Sequence, residues 1–199
     1  MCIGSFFCVS KLFLPSVNVK KICNILDGEV SNMKRLIIIN GVMGVGKTTI
    51  SRALNKELEK SVWLDGDWCW MMSPFVVNES TKKMVQKNII FMLNNFLNQD
   101  EFENIIFNWV IDEEEIYDLI LSKLDRHKFE LFKITLMCSE EELVRRIRKD
   151  IKVGIRDEDN IKRSVEKLNK YKKLNSHKIE TDNRRIDEIV LEIKKYLYK

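Results

Sequence analysis

Histidine is nearly missing from this chain of 199 residues; His127 and His177 are the two present. They are too few and too separated for a zinc site, and no serine–histidine–aspartate order accompanies them, so both are expected at the surface. The five cysteines (Cys2, Cys8, Cys23, Cys69, Cys138) are odd in number, widely spaced and without a C-x-x-C pair. That argues against a disulfide framework and a zinc knuckle, and it points to a reducing cytosol. No apolar run approaches the roughly 18 residues of a membrane span. Charge of one sign is lacking too: 34 basic against 30 acidic residues leave +4, which gives no global reason to expect a nucleic-acid partner. What remains is 45% hydrophobic and 32% charged, a globular composition with length for one domain.

The first 14 residues, MCIGSFFCVSKLFL, are apolar but lack a basic leader, and Lys11 interrupts them, so a secretory signal is disfavoured. Met33 is followed at once by Lys34, Arg35 and a strand-like run, as though the protein began there. The expectation is that residues 1–32 are an N-terminal extension, dispensable or not part of the native protein, and that the working domain is 33–199.

From residue 33 short apolar runs alternate with stretches of helical period. Arg35–Asn40 is continuously apolar, as in a strand buried on both faces. Further strands are expected over Ser61–Asp65, Asn104–Ile111, Phe129–Cys138 and His177–Glu180. Helices are expected over Thr48–Lys60, Glu79–Asn98, Asp112–Arg126 (with an Asp112/Glu115 capping box), from Ser139, over 160–174, and over Ile186–Tyr198. Such alternation implies an α/β fold, a parallel sheet with helices on both faces.

Three of the seven glycines fall within residues 41–46. Gly41-x4-Gly46-Lys47-Thr48 satisfies the whole G-x-x-x-x-G-K-[ST] pattern between a strand and a helix, which chance supplies in roughly one chain in a hundred of this length. Glycines let backbone N–H groups turn onto phosphate oxygens, and the positive end of the next helix adds attraction. Gly41, Gly44, Val45, Gly46, Lys47, Thr48 and Thr49 are therefore read as a site for a nucleoside triphosphate, ATP with Mg2+. Lys47 would reach the β- and γ-phosphates, and the Thr48 hydroxyl would ligate magnesium.

Just after the second strand stands Leu64-Asp65-Gly66-Asp67-Trp68. A carboxylate there can take a proton from an acceptor hydroxyl or hold the metal, or simply cap a turn. Trp63, Trp68 and Trp70 lie within eight residues, followed by Met71, Met72 and Phe75. Trp68 to Phe75 read equally as an apolar acceptor pocket beside Asp67 or as core, while Trp63 and Trp109 read as core. Between Leu143 and Lys173 twelve basic residues face five acidic ones, a local charge of +7, with none of the aromatic interleaving of a nucleic-acid binder.

Taken together, Ile38–Thr49, Asp65-Gly66-Asp67 and Leu136–Arg146 resemble the small P-loop kinases related to nucleoside monophosphate kinases, within the AAA-type P-loop superfamily. The resemblance is particularly to the chloramphenicol phosphotransferase-like, adenylylsulfate kinase-like and gluconate kinase-like proteins. The resemblance spans nearly all of 34–199, and its phosphate loop is the specific part. It implies a five-stranded sheet in the order 2-3-1-4-5, and phosphoryl transfer from ATP to a small-molecule acceptor. It also implies Asp67 as catalytic base or substrate anchor and metal partner, with Asp65 as second choice. Arg145, Arg146 and Arg148, then Arg156, are implied as lid arginines stabilising the phosphoryl group. Where relatives carry an acidic residue on the third strand, this chain has Asn108, and Asp112 lies four residues on. A switch-type NTPase, or a nucleotide-binding regulatory protein without an acceptor, stands as the alternative.

Overall fold

The computed structural model describes residues 33–199; the expected extension over 1–32 lies outside the described residues. Five parallel strands form one sheet in the order β2-β3-β1-β4-β5: β1 (Lys34–Asn40), β2 (Ser61–Asp65), β3 (Asn104–Asn108), β4 (Phe129–Met137) and β5 (His177–Glu180). This is the order and fold class expected. Strand β1 lies at the centre, paired with β3 on one side and β4 on the other. Its Leu36, Ile37, Ile38 and Ile39 are wholly enclosed, because helices cover both faces of a parallel sheet. Burying each such side chain contributes about 1.5–3 kcal/mol, so β1 anchors the core to which the loop after it is attached.

Six helices connect the strands: α1 (Lys47–Glu57), α2 (Glu79–Leu97), α3 (Glu114–Leu121), α4 (Glu140–Lys152), α5 (Asp159–Lys173) and α6 (Ile186–Leu197). A short 3-10 turn, Gly66–Trp70, follows β2. Ser139 caps α4 as expected, its hydroxyl accepting from the Glu142 amide at 3.3 Å.

Two sequence expectations fail for tertiary reasons. Strand β3 ends at Asn108 rather than Ile111, because the buried Asn40 side chain holds Ile111 by both its amide (2.9 Å) and its carbonyl (2.7 Å). That double bond bends the chain across the end of β1. The Asp112/Glu115 box does not form either. Helix α3 starts after Glu113 without a side-chain cap and stops at Leu121, while Asp112 reaches Lys167 of α5 at 3.0 Å.

Candidate nucleotide site

The loop between β1 and α1 is shaped by close approach. A Cβ on Gly41 would stand 2.8 Å from the Leu136 carbonyl, and one on Gly44 (φ 90°) 2.8 Å from the Ile147 side chain. Gly46 precedes α1 without a side-chain cap, and the first turn carries no acidic residue. The positive end of the helix is therefore left to an anion. Val45, Gly46, Lys47, Thr48 and Thr49 line a cleft of about 430 Å3, within the range of small-ligand pockets, while Gly41 sits behind it.

Lys47 is 8% exposed and donates to the carbonyls of Gly41 (2.9 Å) and Val42 (3.1 Å). Burial pulls its ammonium down to about 8; nearby Asp67 and Asp65 oppose that shift and Arg156 adds to it. The Thr48 hydroxyl donates to Asp65 Oδ2 at 2.8 Å, and Asp65 Oδ1 accepts from the Asp67 amide at 3.1 Å. The buried carboxylate at the end of β2 thus belongs with Thr48. The carboxylate that meets the Thr48 hydroxyl is that of Asp65, the second choice of the two aspartates, and not that of Asp67. Asp67 instead opens onto the cleft, since the turn that Asp65 caps rotates it outward. Loss of water around its carboxyl and the charge of Asp65 push its pKa up, and Lys47, Arg156 and the Trp109 indole pull it back.

Asn108 is opposite Asp65 in the sheet, and its Oδ1 accepts from Trp63 Nε1 at 2.6 Å. The amide on β3 is thereby tied to a tryptophan and held in the sheet. Asp112, turned toward α5, is not among the residues lining the cleft.

The basic residues of α4 divide by the side of the helix they occupy. Arg145 stands at the rim of the cleft, largely exposed, with Nε and Nη2 on Glu142 at 2.6 and 2.7 Å. Arg146 is a clamp: its Nη1 donates to the Val45 carbonyl (2.7 Å) and the Thr181 hydroxyl (2.9 Å), its Nη2 to the Thr181 carbonyl (3.0 Å), and its Nε to Glu142 (2.7 Å). It locks the phosphate loop to the end of β5, which leaves its guanidinium almost fully spent on the protein. Arg148 is exposed and is not among the residues lining the cleft; it lines a neighbouring depression that shares Arg145 and Lys149 with it, since two or three positions along a helix carry a side chain to another face.

Arg156, from the connection between α4 and α5, does line the cleft. Its Nε lies 2.8 Å from Asp150, yet Nε and Nη1 are buried without a well-aligned hydrogen bond. Such groups are costly unless something accepts from them, and phosphate oxygens are suited acceptors.

Sequence reasoning missed Lys149 and the far end of the cleft, formed by Thr181, Arg184, Ile186 and Ile189. The signal was present: these last residues follow a strand end in a parallel sheet, where crevices form. Of the two histidines, His127 is exposed, while His177 is half-buried and stacks on Tyr196 with ring centroids 4.2 Å apart.

A family model described as an AAA domain matches residues 37–169. Among solved structures, the tunicamycin resistance protein of Deinococcus radiodurans superposes with a TM-score of 0.63 at 18% identity, covering 82% of this chain and 95% of its own. A sugar kinase from Janibacter gives 0.61 at 14% identity, over 83% and 95%. The shikimate kinase of Bacteroides thetaiotaomicron gives 0.51 at 20% identity, over 83% and 99%. At these identities the likeness is one of fold, that of the small P-loop kinases. No curated protein matches the chain in sequence.

Proposed function

The chain belongs to the AAA domain family, and on that premise we propose that it is a phosphotransferase moving the γ-phosphoryl of Mg-ATP to a small-molecule acceptor. The observation that carries this reading is Asp67, a carboxylate facing the phosphate-loop cleft in the field of Lys47 and Arg156. In the transfer the acceptor oxygen bonds to the γ-phosphorus while the bond from that phosphorus to the β–γ bridging oxygen breaks. ADP leaves, and the acceptor hydroxyl gives its proton to Asp67. Burial and the charge of Asp65 raise the basicity of Asp67, which suits that task. Lys47 and the loop amides hold the phosphates, and Arg156 faces the charge in flight.

Magnesium fits the residues present. It takes oxygen ligands, commonly one or two carboxylates with substrate phosphates, and the Thr48 hydroxyl and Asp65 carboxylate already meet at 2.8 Å. Among the described residues no group of three or more His, Cys, Asp or Glu could hold a metal by itself, so the nucleotide must complete the site. When bound, the ion neutralises phosphate charge.

Asn108 favours a second reading, a nucleotide-binding regulatory protein without an acceptor, because β3 contributes no carboxylate to the ion. We assign the cytosol on its suitability for the free thiols of Cys69 and Cys138; no helix among the described residues is long and apolar enough to cross a membrane.

The test is ADP release with Mg-ATP across hydroxyl-bearing compounds, with Lys47→Ala as the blank. Asp67→Asn should lower kcat at least a hundredfold with little change in ATP affinity. Asp65→Asn should instead raise the magnesium concentration needed for half-maximal rate. Turnover indifferent to every acceptor, or retained by Asp67→Asn, would favour the regulatory reading.

A further inference from the structure

The chain between β3 and α3 is tied to β1 twice. The Trp109 amide donates to the Ile39 carbonyl at 3.3 Å, and Asn40 fixes Ile111 by both its amide (2.9 Å) and its carbonyl (2.7 Å). Ile39 and Asn40 are fully buried and immediately precede Gly41, so this segment shares its footing with the phosphate loop. Between the two ties, Val110 lines the cleft and the Trp109 ring lies over Gly66.

Asp65 and Asn108 are partners in the parallel register, so Gly66 and Trp109 are the next residues of neighbouring chains. A Cβ on Gly66 would stand 2.6 Å from two atoms of the indole and 3.0 Å from the Trp109 Cβ. The ring thus rests on the backbone from which Asp67 springs, a contact that glycine permits. The indole N–H is directed at the Asp67 carboxyl. Asp67 itself lies exposed on a short 3-10 turn, where its side chain has several staggered positions open to it. Lys47 and Arg156 also act on it, but a bound triphosphate would engage both. The indole stays free for Asp67. It is rigid, neutral and a donor only, so it can hold one carboxylate oxygen without competing for the proton that the other receives.

We propose that Trp109 is the positioning residue of Asp67: its ring, seated on Gly66 and tied to β1, holds one carboxylate oxygen through the indole N–H and leaves the other facing the acceptor hydroxyl. This rests on the phosphotransfer reading for what Asp67 does, but not for how Asp67 is held. Placement matters because a displacement of about 1 Å costs on the order of a hundredfold in rate. The tie to Ile39 and Asn40 also sets the base and the phosphate loop on one strand end, so that base and phosphates keep a fixed separation.

Two measurements on the full chain test it. Solvent exchange of the indole N–H groups, followed by NMR on isotope-labelled protein, reads the bond without turnover. Asp67→Ala should speed exchange at Trp109 about tenfold. Trp63, whose Nε1 donates to Asn108 at 2.6 Å, should be unchanged and serves as the internal control. ADP release from Mg-ATP, with water as the acceptor, reads function. Trp109→Phe keeps a ring over Gly66 and lacks the donor. It should lower kcat about tenfold with KM for ATP and Tm little changed, and add nothing in an Asp67→Asn background. A packing role alone would lower Tm, or slow both backgrounds alike, and overturns the inference. Exchange at Trp109 that ignores Asp67→Ala overturns it as well. Full kcat in Trp109→Phe where Asp67→Asn is impaired overturns it while upholding phosphotransfer. Exchange that responds to Asp67→Ala, in a protein whose ADP release ignores Asp67→Asn, upholds the hold on Asp67 and sinks phosphotransfer.

Discussion

Replacing Lys47 with methionine should make the nucleotide-free protein more stable while abolishing its hold on ATP. Enclosure lowers the Lys47 ammonium from 10.5 to about 8. At neutral pH the folded and unfolded chains both hold the proton, so the folded state bears the whole cost of the buried charge, about 3 kcal/mol. As pH rises from 8 toward 10.5 the folded chain gives up its proton first, and the cost fades. Methionine is unbranched and similar in length, and fills the space without charge. Opposing the gain is the loss of two bonds, to Gly41 at 2.9 Å and Val42 at 3.1 Å, worth about 1 kcal/mol each. The balance favours the variant by about 1 kcal/mol, a rise in Tm of about 3 °C for a chain of this size. Calorimetry of both proteins without nucleotide at pH 7 and pH 10 measures it, and the advantage at pH 7 should be gone at pH 10. Saturating Mg-ATP should reverse the order, adding about 2.7 kcal/mol to the wild type at a hundred times Kd and nothing to the variant. A variant less stable than the wild type at pH 7, or a difference that ignores pH, would refute the reasoning.

Arg146→Met should cost about 2–3 kcal/mol in urea unfolding, because it releases the Val45 and Thr181 carbonyls and leaves Glu142 with Arg145 alone. Glu142 is held at about 2, chiefly by Arg145 and then by Arg146, so its contribution is present above pH 4.5 and lost as pH falls toward 2; the urea midpoint of the variant should fall less steeply over that range. Gly66→Ala places a Cβ 2.6 Å from the Trp109 ring and should cost about 1–3 kcal/mol, with a changed tryptophan emission spectrum as the direct sign that the ring has moved.

The parts of this molecule readable from the sequence are those whose cause is local. Residues 36–39 are apolar without interruption because a central parallel strand has no wet face, and the glycines at 41, 44 and 46 are spaced by the turn they must make. The sheet order came with the family resemblance and holds. The parts that were not readable depend on partners distant along the chain. Asn40 shortens β3 from 71 positions away, a bond that no window of sequence contains. The cluster of arginines was visible as a density of charge, but its division into a rim residue, a clamp, a bystander and a cleft residue depends on which side of α4 each occupies and on the bend before α5. For the two aspartates, a spacing of two residues did not show which one would turn inward to Thr48.

Strand β1 is also a seam in the heritable sense. Strands β3 and β2 stand to one side of it and β4 and β5 to the other, and Arg146, which ties the phosphate loop to Thr181, comes from the β4 side. On the phosphotransfer proposal, drift on the β2 side would exchange one acceptor for another while the phosphate loop and its arginine clamp stay under selection. Such a partition lets a chain diverge until little beyond the loop and the strand order is shared.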